Sequence, residues 1–177
     1  GASGYRTQVA NDLIANVRFA VIKGNLSEIK CILGSLQKSR GVDSAESITH
    51  TSLAAVCETA REAAEKTGSV IAVTGAVDVI ADTKCCTTVQ NGHPIMGKIT
   101  GTGCMLASML GAFCGAHEDT REAAVAAVAA MGLSGEIAYK KINAGGLGTG
   151  SFRTFLIDSL SLLTDDILQG GMYIEQY

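Results

Sequence analysis

The sequence predicts an α/β fold, with a mostly parallel central sheet and helices on both faces. Three observations carry that prediction. β-Branched apolar runs at 17–23 and 69–75 each stop at glycine. Strand and helix signals alternate, with a strand–turn–strand insert over 77–89. Glycine-rich loops at 100–104 and 143–150 stand directly before helical segments.

Taken in order, residues 7–16 form a short amphipathic helix with Val9, Leu13 and Ile14 on one side. The strand 17–23 follows and ends at Gly24-Asn25. Asn25 can cap a helix over 26–33 that Gly34 ends. Residues 35–42 read as polar connector. From 43 to 67, Leu53, Val56, Cys57, Ala60 and Ala64 share one helical face, and Gly68 ends that helix. The strand 69–75 leads to short strands at 77–81 and 85–89, with Asp82-Thr83-Lys84 as the turn between them. Asn91-Gly92 is a hairpin signal before Pro94-Ile95-Met96. A helix then covers 105–116. Asp119 and Glu122 have capping-box spacing for another helix, running to about residue 140. Ser151 caps a further helix through 163, and 164–168 adds a turn or two. No internal repeat or linker interrupts the pattern.

The 177 residues fit a single domain, 1–177, since domains run to roughly 100–200 residues. A formal net charge of −3 supplies no basic field for nucleic acid or an anionic membrane surface. Mean hydropathy is +0.27, yet no apolar run approaches the roughly 18 residues of a membrane span. With 47% hydrophobic residues, disorder is excluded. The six cysteines contain no C-x-x-C pair, and the three histidines (His50, His93, His117) complete no zinc-ligand spacing. A reduced, cytoplasmic protein is expected, with every cysteine but Cys104 acting as a small core residue. The opening Gly1-Ala2-Ser3-Gly4-Tyr5-Arg6 reads as a loop with neither start Met nor preceding strand, so a domain incomplete at its N-terminus is expected.

Thr100-Gly101-Thr102-Gly103-Cys104 is the most informative segment. Glycines before a helix let backbone N–H groups approach an anion such as phosphate, although a plain tight turn gives the same pattern. It matches neither G-x-x-x-x-G-K-[ST] nor G-x-G-x-x-G, since Leu106 replaces the third glycine. Cys104 falls in the first turn, where a helix favours anions, so its thiol is a candidate base or nucleophile. Packing against the sheet is the alternative, as for Cys114. Lys23, Asn25 and Glu28 form a second cluster at a strand end, where α/β sheets bind ligands. Together they suit Mg²⁺ and phosphate, while N-x-x-E is also capping-box spacing. Thr74-Gly75 ends another strand, and 146–150 reads as a lid or a flexible loop.

Residues 21–29 (VIKGNLSEI), 73–82 (VTGAVDVIAD), 100–104 (TGTGC) and 148–152 (GTGSF) together resemble the hydroxyethylthiazole kinases of thiamine biosynthesis, a branch of the ribokinase-like superfamily. Their order and spacing match across essentially the whole chain. The cysteine at 104 adds specificity, because ribokinase-like enzymes generally carry Asp there. The resemblance implies a ribokinase-like α/β fold and phosphoryl transfer from ATP, with Mg²⁺, to the hydroxyl of 4-methyl-5-(2-hydroxyethyl)thiazole. It implies ATP contacts at Lys23 and Thr74, a metal and phosphate role for Asn25 and Glu28, a substrate contact at Gly101 and Cys104 as catalytic base. The phosphates are expected over the 100–104 loop, so Thr100 and Gly103 are expected to bind the cofactor as well. Lys23 is often Arg in relatives; both serve phosphate, Lys as a point charge without the bidentate fork. The family forms trimers with the thiazole pocket at a subunit interface. Its members continue N-terminally through strands, a Met-containing substrate loop and an Asp-Pro-Val. Roughly the first third is therefore expected to be missing here, and this segment to occur with that portion in a homotrimer. The alternatives are another ribokinase-like kinase (hydroxymethylpyrimidine or pyridoxal type), a repair dehydratase of the same fold, or a non-catalytic nucleotide-binding fragment. Cys104 in place of Asp disfavours the first two.

Overall fold

The computed structural model describes residues 3–34 and 52–177. The expected connector over 35–42 and the 43–51 portion of the expected helix lie outside the described residues, as does His50. The elements run α1 (Gly4–Asn16), β1 (Val21–Asn25), α2 (Leu26–Ile32), α3 (Leu53–Thr67), β2 (Val70–Thr74), β3 (Asp78–Ala81), β4 (Cys86–Val89), a 3₁₀ turn (Pro94–Lys98), α4 (Thr102–Ala116), α5 (Thr120–Gly145), α6 (Thr149–Ser161), α7 (Asp165–Gly171) and β5 (Ile174–Gln176). The strands form one mixed sheet in the order β1-β2-β3-β4-β5. The chain divides into two compact units, Gly1–Thr88 with Gln176–Tyr177, and Val89–Glu175.

In the first unit, β1 pairs parallel with β2, and β2 pairs antiparallel with β3. Register separates the two faces, because neighbouring residues on a strand point to opposite sides. Ile71, Val73, Val79 and Ala81 face one way and join a buried cluster with Leu26, Ile29, Val56, Cys57, Ala60, Ala63 and Ala64. Helices α2 and α3 thus cover that face. The α3 stripe read from the sequence is the buried one, with Ser52 as N-cap and Gly68 (φ +67°) as the left-handed stop. The expected strand 17–23 is shifted to Val21–Asn25. The Val17 N–H closes α1 on Leu13 O at 2.8 Å, and pairing with β2 carries the strand on to Asn25↔Thr74. α1 itself begins at Gly4 rather than residue 7, because the Ser3 hydroxyl accepts the Arg6 N–H. The turn at Asp82 forms as expected, its Oδ1 accepting the N–H groups of Lys84 and Cys85, both at 2.7 Å.

The cysteines divide differently from the expectation. Cys57 and Cys86 are buried, Cys31 and Cys114 half-buried, and Cys85 is exposed beside the Asp82 turn. Burial holds the Cys86 thiol well above its ordinary value, and the neighbouring Cys57 adds to this. Such a thiol is inert packing.

In the second unit, α5 is the central helix, a long alanine-rich segment buried along most of its length and packed by α4, α6 and α7. Asp119 caps it by accepting the Glu122 N–H at 2.9 Å. It continues to Gly145, so Asn143-Ala144-Gly145 is helical rather than loop, and Gly146 (φ +62°) ends it. α6 starts at Thr149 on an extended Gly148, which leaves Ser151 inside the helix instead of capping it. The hairpin expected at Asn91-Gly92 does not form. Asn91 is buried, accepts the Tyr173 N–H (2.7 Å) and donates to Gly171 O (2.9 Å), while Pro94 opens a 3₁₀ turn. Those hydrogen bonds use the asparagine as a tether between distant segments, and proline supplies no N–H for a ladder.

Gly132 marks the tightest approach in this unit. A Cβ there would lie 2.6 Å from Asn91 O and 2.7 Å from its carbonyl carbon. Helix propensity alone favours alanine over glycine by about 1 kcal/mol. The clash is with backbone, so Gly132→Ala should destabilise by about 1–3 kcal/mol. Urea midpoints decide the sign: a rise would mean that α5 moves away from Asn91 at little cost.

Candidate active site

Each unit carries part of the predicted constellation. On the first, Lys23, Asn25, Ala72, Thr74 and Ile80 occupy the sheet face opposite the α2–α3 core, by the register Lys23↔Ala72, Asn25↔Thr74 and Ala72↔Ile80. Asp78, two residues before Ile80, falls on the same face. The structure therefore aligns Asn25 and Thr74 side by side at the end of the parallel pair.

Asn25 and Glu28 close a capping box. The Asn25 Oδ1 accepts the Glu28 N–H at 2.9 Å, and Glu28 Oε2 accepts the Asn25 N–H at 2.8 Å. Gly24 makes this possible: a Cβ there would stand 3.0 Å from Glu28 Cβ and 3.1 Å from Oε2. The capping reading of N-x-x-E is thus realised, and the exposed Glu28 still presents its second carboxylate oxygen. Lys23 and Glu28 also border a cavity of about 350 Å³ whose walls include Leu13, Ile14, Phe19 and Ile22.

Asp78 is the residue that the sequence reading missed. Its Oδ1 accepts the Gly75 N–H at 2.8 Å, folding the chain back just after Thr74. Burial pushes its carboxyl from 3.8 up to about 6, with the Gly75 N–H and then the Lys23 charge pulling the other way. An Asp three residues after Thr-Gly reads as an ordinary turn residue. Only the register, which turns it onto the face of Thr74 and Lys23, distinguishes it.

On the second unit, Thr100, Gly101, Gly103 and Cys104 are gathered on one loop and the first turn of α4. Gly101 is the N-cap, with φ +104°, a conformation that L side chains rarely adopt. No side chain caps α4. Met105 N–H bonds Gly101 O at 2.9 Å as the helix starts. Cys104 is its third residue and exposed, so the sheet-packed alternative does not hold. The segment leading to this loop is tied to α5. Glu136 Oε1 accepts the Gly92 N–H (2.8 Å) and an Asn91 amide hydrogen (3.1 Å), and the His93 ring stacks on Tyr139 at 3.5 Å. The Thr102 hydroxyl reaches Met96 O. α6 likewise begins without a side-chain cap, at Gly148.

Among the described residues, no three His, Cys, Asp or Glu side chains gather as a self-sufficient metal cage. Magnesium bound largely through substrate phosphates and water needs only one or two protein carboxylates, and Glu28 fits that mode. No described helix is long and apolar enough to cross a membrane.

The fold is of the α/β class, and a solved structure matches it over the whole chain. The structure of a hydroxyethylthiazole kinase protein from Pyrococcus horikoshii matches all of this chain and 62% of its own, with a TM-score of 0.84 and 28% identity. The hydroxyethylthiazole kinase family profile matches residues 1–166, and the chain belongs to that family. The hydroxyethylthiazole kinase of Ruminiclostridium cellulolyticum is 46% identical over 168 residues, covering 94% of this chain and 60% of the relative. That of Clostridium acetobutylicum is 41% identical, covering 100% and 66%. This chain spans about 60% of the length of the first of these curated relatives.

Proposed function

We propose that this chain is part of a kinase that transfers the γ-phosphoryl group of ATP to the hydroxyl of 4-methyl-5-(2-hydroxyethyl)thiazole. The observation that carries the reading is an exposed cysteine in the first turn of an uncapped helix, Gly101 to Cys104, in a chain of this family. Lys23, Asn25, Thr74, Thr100 and Gly103 contact ATP, Gly101 contacts the thiazole, Cys104 is the base, and Glu28 would hold Mg²⁺. The domain 1–177 acts with further chain in a cytoplasmic homotrimer. Bound Mg²⁺ supplies charge neutralisation on the phosphates.

The chemistry asks little else of the protein beyond positioning and charge stabilisation. The N–H groups of the first turn of α4 point out of the helix, where they donate to an anionic oxygen. Lys23 adds a compact positive charge. Cys104 takes the alcohol proton onto Sγ as the new O–P bond forms. Glycine at 103 keeps the backbone open to close approach.

Two measurements test this. Radiolabel from the γ-phosphate should appear on the thiazole alcohol, and not on hydroxymethylpyrimidine or pyridoxal. Gly103→Val should weaken Mg·ATP binding about tenfold or more in calorimetry, because the added branch crowds the N–H groups. Transfer to the pyrimidine or pyridoxal alone would overturn the substrate, and unchanged ATP binding would overturn the role of the loop.

A further inference from the structure

The sheet face opposite the α2–α3 core holds one carboxylate to which the proposed chemistry gives no role. Asp78 stands at the start of β3, half-buried, on the same face as Lys23, Asn25 and Thr74. Its Oδ1 takes the Gly75 N–H at 2.8 Å. That bond spans three residues and fixes the bend that follows Thr74, so the direction in which Thr74 leaves the strand depends on it. The same carboxylate shares its sheet face with Lys23, with β2 between them, and feels the lysine's charge. Lys23 is two residues from Asn25, and Asn25 is held by Glu28. One side chain, inside the 73–82 stretch but given no role there, therefore bears on two groups that the kinase reading assigns to ATP.

We propose that Asp78 is a positioning residue for the nucleotide, shaping the Thr74-Gly75 turn through the Gly75 N–H and orienting the Lys23 ammonium by its charge. The assignment rests on the kinase reading. Asp78 makes no bond to substrate. The Gly75 N–H is turned toward Asp78 and so is withdrawn from phosphate, which leaves the Thr74 hydroxyl and Lys23 as the groups that Asp78 serves. A carboxylate in this place does what an alanine cannot, and what an asparagine does only in part. Asparagine keeps an oxygen for the Gly75 N–H and loses the charge.

The effect falls on binding rather than on the chemical step, because neither partner of Asp78 moves a proton in the transfer. In the complete protein, Asp78→Ala should raise KM for ATP about tenfold with kcat within about threefold of wild type, the loss expected for a hydrogen bond to a charged group. Asp78→Asn should raise KM about threefold. Hydrogen exchange at the Gly75 amide gives a readout independent of ATP: protection is retained in Asp78→Asn and lost in Asp78→Ala. Should the alanine variant fail to fold, the asparagine variant decides by its KM. A KM unchanged in whichever variant is measured, or a fall in kcat with KM intact, overturns the proposal. A wild type that binds no Mg·ATP overturns the kinase reading instead. Equal binding by wild type and Asp78→Ala overturns this assignment alone.

Discussion

Cys104→Ala lowers kcat by up to about 10²- to 10⁴-fold, the usual range for removing a general base, and leaves the Kd for Mg·ATP nearly unchanged. The substrate alcohol is a very weak acid, so its proton must be taken as the O–P bond forms. Cys104 is exposed at the third residue of α4, free of the packing that would make a thiol inert. Exposure also makes the test clean, since truncation there leaves no cavity and should not disturb the fold. Cys104→Asp should keep activity. It places a charged acceptor at a helix start, where an anion is favoured by about 0.3–1 kcal/mol. Pre-steady-state turnover of the two variants separates the roles. Wild-type kcat in Cys104→Ala would make the thiol a bystander and the α4 N–H groups the catalytic part. An inactive, folded, ATP-binding Cys104→Asp would demand chemistry specific to sulfur.

Local signals in the sequence were legible where one segment decides its own structure. The α3 stripe of Val56, Cys57, Ala60 and Ala64 is buried as its period requires. Gly34 and Gly68 stop their helices in left-handed conformations, and Asn25 with Glu28 makes the capping box that the spacing allows. Thr100 to Cys104 opens a helix with its cysteine outward. Several of the misses share a cause: a distant partner settled the matter. Asn91-Gly92 has the composition of a hairpin turn, but the asparagine is claimed by Gly171 and Tyr173, some eighty residues on. β1 is displaced because β2 sets its register. Asn143 to Gly145 stays helical although its glycine suggests a stop, directly after the buried Ile142. Asp78 shows the same limit at the site. Its neighbours in sequence mark only a turn, and its importance comes from a strand pairing that puts it on the same sheet face as Lys23. Asp78 lies inside the 73–82 stretch, yet a residue acting through others carries no mark of its role there.

Asp78→Asn is expected to stabilise the folded protein at pH 7.5 even as it weakens ATP binding. Burial raises the Asp78 carboxyl from 3.8 to about 6, against the opposing pull of the Gly75 N–H and Lys23. Desolvation therefore outweighs both favourable partners. Because the folded value lies above the unfolded one, the folded state binds the extra proton between them, and stability is greatest below about pH 4. It is lost as pH rises through about 6. A difference of that size corresponds to about 3 kcal/mol. This is an upper figure, since Asn is not a protonated Asp and Lys23 loses a partner. Lys23 is only half-buried, so water takes over much of that loss. A net gain of about 1–3 kcal/mol remains, or several degrees in Tm for a chain of this length. Urea midpoints of the two proteins at pH 4, 6 and 7.5 test it: the curves should converge at acid pH and separate as the wild-type carboxyl ionises. A wild type at least as stable as Asp78→Asn at pH 7.5 would mean that the Lys23 charge and the Gly75 N–H overcome burial. Asp78 would then be explained by stability alone, whereas the expected outcome leaves a charge that costs stability where the nucleotide is to be held.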